Sequence, residues 1–313
     1  MKMRFKIARW CLALGRDRFR NTWVHHLRLT EAMYRLVVRA IDKPELITFR
    51  GVVLRIAQRD RTITPTLLTG QYERAELDLL DSLLEPGMTI VDVGANNGVY
   101  TCIASQLVGH SGKVVSIEPI SENLTALRES VALNQPATEN VTIIPVAAGA
   151  TSGTVRIYLD DQNSGTHSAG GVGDCWEDVT VRPVDEIVAE LGLSSVDLIK
   201  IDVEGYEEQV LVGAARTIER FAPAILCEFD AEMTEACGSD AKQYAADLFA
   251  MGTVLEIDER SCSLVPIGES NCAGLRNSNL LVIPPGFGDH PIHGEDWPSH
   301  GYPRLTRDVA QFG

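Results

Sequence analysis

From Thr89 onward, short apolar and β-branched runs alternate with helix-length segments, and this alternation restricts the fold more than any other feature of the chain. TIVDV (89–93) and KVVSI (113–117) read as buried strands bounded by turn residues. Val141–Val146, Val196–Val203 and Ala224–Phe229 follow as further strands. Helices are predicted between them at about 98–109, 121–134 and 206–220, the second opened by Ser121 as N-cap. This rhythm specifies an α/β fold, a doubly wound, mostly parallel sheet covered by helices on both faces. A helix near 240–250 precedes Thr253–Ile257 and Asn279–Ile283, two strands with no helix between them, so the sheet is expected to end antiparallel. Thr154–Leu159 and a strand starting at Val179 flank a polar, Gly-rich loop, a β-hairpin-like insertion between the third and fourth main strands.

The N-terminal part reads differently. Residues 5–14 and 31–41 carry helix-like spacing among arginines, with Pro44 as a stop, and 46–57 is strand-like. A helix over 72–84 ends at Pro86-Gly87. The expected organisation is a basic extension over 1–69, a main domain over 70–285 and a tail over 286–313.

Charge separates these parts. Residues 1–61 hold 15 Lys and Arg against 5 Asp and Glu, whereas the whole chain holds 28 against 43. A net charge of −15 weighs against a whole-chain nucleic-acid binder, because phosphate is repelled. The basic head reads as a docking arm, a self-association arm that would make an oligomer, or a peripheral surface for anionic lipid. The plainer reading is a solvated helical face packed on the acidic body. No apolar run reaches the length of a membrane span. Seven cysteines without a C-x-x-C pair read as reduced thiols of a cytoplasmic protein. Arg9 interrupts the N-terminal apolar stretch and no cleavage site follows, which speaks against a signal peptide.

In doubly wound sheets, ligands bind beyond the carboxyl ends of the strands near the first strand. Here those ends are Asp92-Val93-Gly94-Ala95-Asn96-Asn97-Gly98, Glu118-Pro119, Val146-Ala147-Ala148 and Asp202-Val203-Glu204-Gly205. The first is a tight turn whose glycines let the backbone approach a ligand. It lacks the dinucleotide fingerprint G-x-G-x-x-G, since counting from Gly94 the second and third glycine positions are Asn96 and Val99. Asp92 just before the turn would repel pyrophosphate but suits a ligand bearing ammonium and sulfonium. Glu118, after the second strand, suits a ribose diol. A phosphate-free adenosine with a positive end is S-adenosyl-L-methionine, and this is the expected cofactor.

The stretches VDVGANNGVYT, VVSIEPISENLTALRESVALN and VDLIKIDVEGYEEQVLVGA resemble the FkbM family of S-adenosylmethionine-dependent methyltransferases, from about Gly70 to Phe229. The resemblance implies a class I methyltransferase (Rossmann-like) fold and O-methylation of a hydroxyl on a sugar, glycan or other small molecule. It implies that the Asp92–Gly98 turn, including Gly94, Ala95, Asn96 and Gly98, meets the methionine end of the cofactor. Ribose then falls at Glu118, adenine near Ile120 and Ala147, and Asp202 near the methionine amino group or the transferring methyl. Gly70, Tyr72 and Glu73 match a stretch that closes over the cofactor.

A sugar hydroxyl is a poor nucleophile, so a base is needed. The expected order is Glu204 first and His167, on the insertion loop, second, with Asp202 occupied by the cofactor. Glu204 alternatively caps the helix near Tyr206, His167 is alternatively an exposed loop histidine, and Asp202 with Glu204 alternatively holds a divalent cation, although no metal is expected. Trp176 and Tyr158 either stack on a sugar or pack in the hairpin. Lys200 reaches the sheet edge or pairs with a carboxylate. Two other functions stay open: a nicotinamide-dependent oxidoreductase, and a non-enzymatic adaptor working through the basic arm.

Overall fold

The computed structural model describes residues 45–56, 63–160, 167–268, 275, 277–285 and 287. The predicted helices at 5–14 and 31–41, the tip of the insertion loop and nearly all of the tail lie outside the described residues.

Eight strands form the main sheet. β3 (Thr89–Val93), β4 (Lys113–Ile117), β5 (Val141–Ile144), β9 (Leu198–Ile201) and β10 (Ala224–Asp230) run parallel, in the order β5-β4-β3-β9-β10. β13 (Asn277–Ile283) pairs antiparallel with β10, followed by β11 (Thr253–Asp258) and β12 (Ser263–Pro266), each antiparallel to its neighbour. The antiparallel end is therefore as expected.

Side-chain alternation along the strands builds a core on each face. Ile90, Leu198 and Leu226 face one cluster together with α2 (Arg74–Leu83) and α3 (Val99–Val108). Val91, Val93, Ile199 and Ile201 face the other, with α5 (Val184–Glu190), α6 (Glu207–Gly213) and α9 (Ala241–Met251). All five residues of β3 are buried, which is what a central strand covered on both faces requires.

Several boundaries differ from the sequence reading for identifiable reasons. The run 46–57 is a hairpin, β1 (Leu46–Phe49) with β2 (Val52–Arg55), because Arg50 and Gly51 both take positive φ and close a two-residue turn. The third strand stops at Ile144, where Pro145 lacks a ladder donor. The chain then crosses to a second sheet, in which β6 (Ala147–Ala148) pairs with β8 (Trp176–Arg182), itself antiparallel to β7 (Gly153–Tyr158). That sheet is the predicted insertion. α4 (Ser121–Leu133) has Ile120 at its N-cap; Ser121 instead donates its N–H and Oγ to the Glu177 carboxylate at 3.1 and 2.9 Å. The predicted helix 206–220 is two, α6 and α7 (Ala215–Phe221). The short helix α1 (Ile63–Thr69) has no counterpart in the sequence reading. Among the described residues, no helix is long and apolar enough to cross a membrane.

Candidate active site

The turn after β3 is left-handed at three positions, Gly94, Asn96 and Gly98. It is fixed from two sides. Gly94 and Ala95 both donate their N–H to the Ile117 carbonyl at the end of β4, at 3.0 and 3.1 Å. The Asn96 N–H donates to one Glu118 oxygen at 2.8 Å, and the Ile120 N–H to the other at 2.9 Å. Glu118 is buried, and burial pushes its carboxyl up to about 7 against the pull of those N–H groups. The Asn123 side chain also hydrogen-bonds to this carboxylate, which leaves one lone pair for an incoming hydroxyl.

Two cavities meet at this rim. The smaller is lined by Glu118, Ile120, Ala147, Asn123, His167 and Tyr206, among others. No Lys or Arg is among the described residues that line it, so a phosphate would find no counter-charge there. The larger has a volume of about 440 Å³ and is lined by Tyr72, Glu73, Tyr100, Lys200 and Glu228, among others. Gly94, Asn96, Asp202 and Glu204 line both. The set fits a phosphate-free nucleoside: a carboxylate for a hydroxyl, an apolar floor at Ile120 and Ala147, and a bare backbone at Gly94.

Asp92 departs from the sequence expectation. It is fully buried and lines neither cavity. Thr101 Oγ1 donates to its Oδ2 at 2.6 Å, and the Lys200 ammonium lies 3.9 Å from its Oδ1. Burial raises its carboxyl while Lys200 and Thr101 lower it. It holds the turn from beneath rather than facing a ligand. Lys200 sits between its two carboxylates, with Asp202 Oδ2 at 3.0 Å and the Tyr100 ring 4.7 Å away.

Glu204 has φ 54° and stands on the shared wall. Burial, followed by Asp202, Glu228, Glu207 and Asp230, pushes its carboxyl up to about 9. It does not cap α6. Tyr206 stands at the N-cap without a side-chain bond, and Glu207 in the first turn ties down the preceding loop by accepting the Val203 and Gly205 N–H groups at 3.0 and 3.2 Å. Asp202, Glu204 and Glu228 each bring one oxygen within 4.8 Å of the others, close enough to share a cation. His167 lies on the smaller cavity with the adenosine-type residues, its Nδ1 accepting the Asp160 N–H at 3.0 Å, and burial lowers its pKa. Trp176 and Tyr158 face each other across β7 and β8 and line neither cavity.

Glu73 was undervalued by the sequence reading. It takes a left-handed backbone (φ 37°) at the start of α2 and is half-buried against the larger cavity. Burial and Asp202 raise its carboxyl to about 7, opposed by Lys200 and by hydrogen bonds from Tyr100 and Tyr72. A strained non-glycine residue at a cavity is a functional signal visible only in the fold.

The order β5-β4-β3-β9-β10-β13-β11, with β13 reversed, and the glycine turn and carboxylate after its first two strands define a class I methyltransferase fold. The model of the family described as Methyltransferase FkbM domain matches residues 92–256, more than half of the chain. The protein belongs to that family. A second model, protein-L-isoaspartate(D-aspartate) O-methyltransferase, matches residues 21–153. Among curated relatives, the ribosomal RNA large subunit methyltransferase E of Hahella chejuensis is 44% identical over 50 residues, 16% of this chain and 24% of that protein. The hexuronic acid methyltransferase AglP of Haloferax volcanii is 28% identical over 154 residues, 47% of this chain and 59% of that one. The chain thus spans less than two thirds of the length of these relatives. A solved FkbM methyltransferase from Methylobacillus flagellatus is 19% identical, with a TM-score of 0.41, covering 72% of this chain and 56% of the other.

Proposed function

We propose that the protein is an S-adenosylmethionine-dependent O-methyltransferase that methylates a hydroxyl of a sugar, a glycan or another hydroxylated small molecule. The observation that carries this is the pair of cavities meeting at Gly94, Asn96, Asp202 and Glu204, one suited to a phosphate-free nucleoside, the other large and polar. The sugar acceptor draws support from the family and from the hexuronic acid methyltransferase among the relatives.

When bound, the cofactor supplies an activated methyl group as a sulfonium, so the chain has to bind, orient and deprotonate. Glu118 holds a ribose hydroxyl, Ile120 and Ala147 cover the adenine, and the Gly94–Gly98 turn admits the methionine end. Glu73 takes the acceptor proton, because its carboxyl, raised to about 7, passes from acid to base near neutral pH, as a general base requires. Glu204, near 9, stands second: it is largely protonated there and orients the hydroxyl. His167 works on the cofactor side.

Calorimetric titration with S-adenosylhomocysteine and with NAD tests the reading. The nucleoside is expected to bind and NAD is not; the reverse result would replace it with the oxidoreductase. Transfer of labelled methyl groups onto a panel of glycans and lipids then identifies the acceptor.

A further inference from the structure

His167 lines the smaller cavity and not the larger, so it stands at the nucleoside end of the cofactor site and away from the methionine end. Its place is fixed although it lies on a loop. The next residue, Ser168, exchanges backbone hydrogen bonds with Tyr158 at the end of β7, at 3.0 and 3.2 Å, and its Oγ donates to the Glu204 carbonyl at 2.7 Å. The imidazole itself accepts the Asp160 N–H at Nδ1, at 3.0 Å.

That last bond decides which ring nitrogen carries the proton. A nitrogen that accepts an N–H has no hydrogen of its own, so the neutral ring is protonated at Nε2. Burial lowers the His167 pKa from 6.5, which keeps the ring neutral at pH 7. The Nε2–H has no acceptor among the described residues, and the atom is not sealed in the interior, so it is open to a ligand.

The neighbours define the part of the ligand it meets. Ile157, on β7, packs with Ile120 and Ala147 in one apolar cluster, and all three line the cavity with His167. An apolar floor takes the flat face of a base and leaves its edge to polar groups. The edge of adenine presents the ring nitrogens N1, N3 and N7, all acceptors, so it calls for donors. Asn123, another donor on this cavity, is engaged with the Glu118 carboxylate. We propose that His167 reads the nucleobase of the cofactor, its Nε2–H donating to one ring nitrogen of the adenine, so that the second sheet and its loop supply base specificity. The inference rests on the methyltransferase reading of this site.

The test titrates the full chain calorimetrically with S-adenosylhomocysteine and with its 1-deaza, 3-deaza and 7-deaza forms, each of which replaces one ring nitrogen by C–H. One of the three is expected to bind the unaltered chain about 3- to 10-fold more weakly than the parent compound, the scale of a neutral hydrogen bond. In His167→Phe, S-adenosylhomocysteine should weaken by a similar factor and that analogue should lose its penalty, as two halves of one contact must. His167→Ala is read in the same way should phenylalanine disturb the loop. Equal binding of all four compounds to the unaltered chain, unchanged S-adenosylhomocysteine affinity in both variants, or a penalty that persists in them overturns the proposal; a persistent penalty would give the contact to another donor, such as Tyr206. Failure of the methyltransferase reading is distinct, because S-adenosylhomocysteine would then not bind the unaltered chain at all.

Discussion

Gly94 and Asp202 meet across the seam between β3 and β9: a Cβ on Gly94 would stand 1.9 Å from the Asp202 carbonyl oxygen. Two of the four residues that border both cavities, at the ends of neighbouring strands, thus approach at the backbone, and the cavity wall depends on the absence of one side chain.

Gly94→Ala should cost at least about 2 kcal/mol, since a left-handed backbone (φ 79°) and a backbone clash are imposed together. Gly192→Ala is the control, because φ there is 59° but nothing lies within 4 Å of the added atom. It should cost about 1–2 kcal/mol, from backbone strain alone. Urea denaturation compares the two, and equal losses would remove the Gly94–Asp202 contact as the cause.

Glu118→Ala removes the acceptor of the Asn96 and Ile120 N–H groups and the proposed acceptor of a ribose hydroxyl. S-adenosylhomocysteine binding should weaken about 10- to 100-fold, the range for hydrogen bonds to a charged group. An unchanged dissociation constant by calorimetry would end the ribose assignment.

Much of this arrangement was legible in the sequence. The strand rhythm gives the sheet, and the spacing from the glycine turn to Glu118 gives a carboxylate beside the turn, because both are local patterns. Asp92 was misread because its environment is not local: its register partner across β3 and β9 is Lys200, 108 positions away, and that pairing turns a strand-end carboxylate into a buried support. Glu73 was hidden for the same reason. It precedes β3 by a whole helix, and only the packing of α2 brings it beside Lys200 and Asp202. Pro145 and Arg50-Gly51 carried visible signals for a strand end and a hairpin, but a continuous apolar pattern outweighed them.

Lys200→Met should destabilise the protein by about 3–5 kcal/mol, the cost of stranding a buried charge, here that of Asp92. Adding Asp92→Asn should recover part of the loss, because the stranded charge is gone. A double variant no more stable than Lys200→Met would show that the lysine matters through packing on Tyr100 instead.

Stability should fall as pH rises from about 5 to 9. Glu73, Glu76, Glu118 and Glu207 are raised from 4.5 to about 7, Glu228 to about 8 and Glu204 to about 9, chiefly by burial. The folded chain therefore binds more protons than the unfolded chain across this window, and stabilisation present below 4.5 is lost as each folded pKa is passed. His167, lowered from 6.5, acts in the opposite direction but is one group against six. Urea midpoints at pH 5.5 and 8.5 check the sign; a higher midpoint at 8.5 would contradict the burial of these carboxylates.

The pH dependence of turnover separates Glu73 from Glu204 once an acceptor is in hand. A base must be ionised, so kcat/KM should fall below the pKa of the group that acts. If Glu73 takes the proton, the acid limb lies near pH 7, and Glu73→Gln removes that limb and lowers kcat about 10²- to 10⁴-fold. Glu204→Gln should then lower kcat less and leave the limb in place, with S-adenosylhomocysteine affinity nearly unchanged in both variants. A limb near pH 9 that disappears in Glu204→Gln would transfer the role to Glu204. His167→Ala should alter cofactor affinity and not the limb, because His167 lines the cofactor-side cavity with Glu118 and not the larger one.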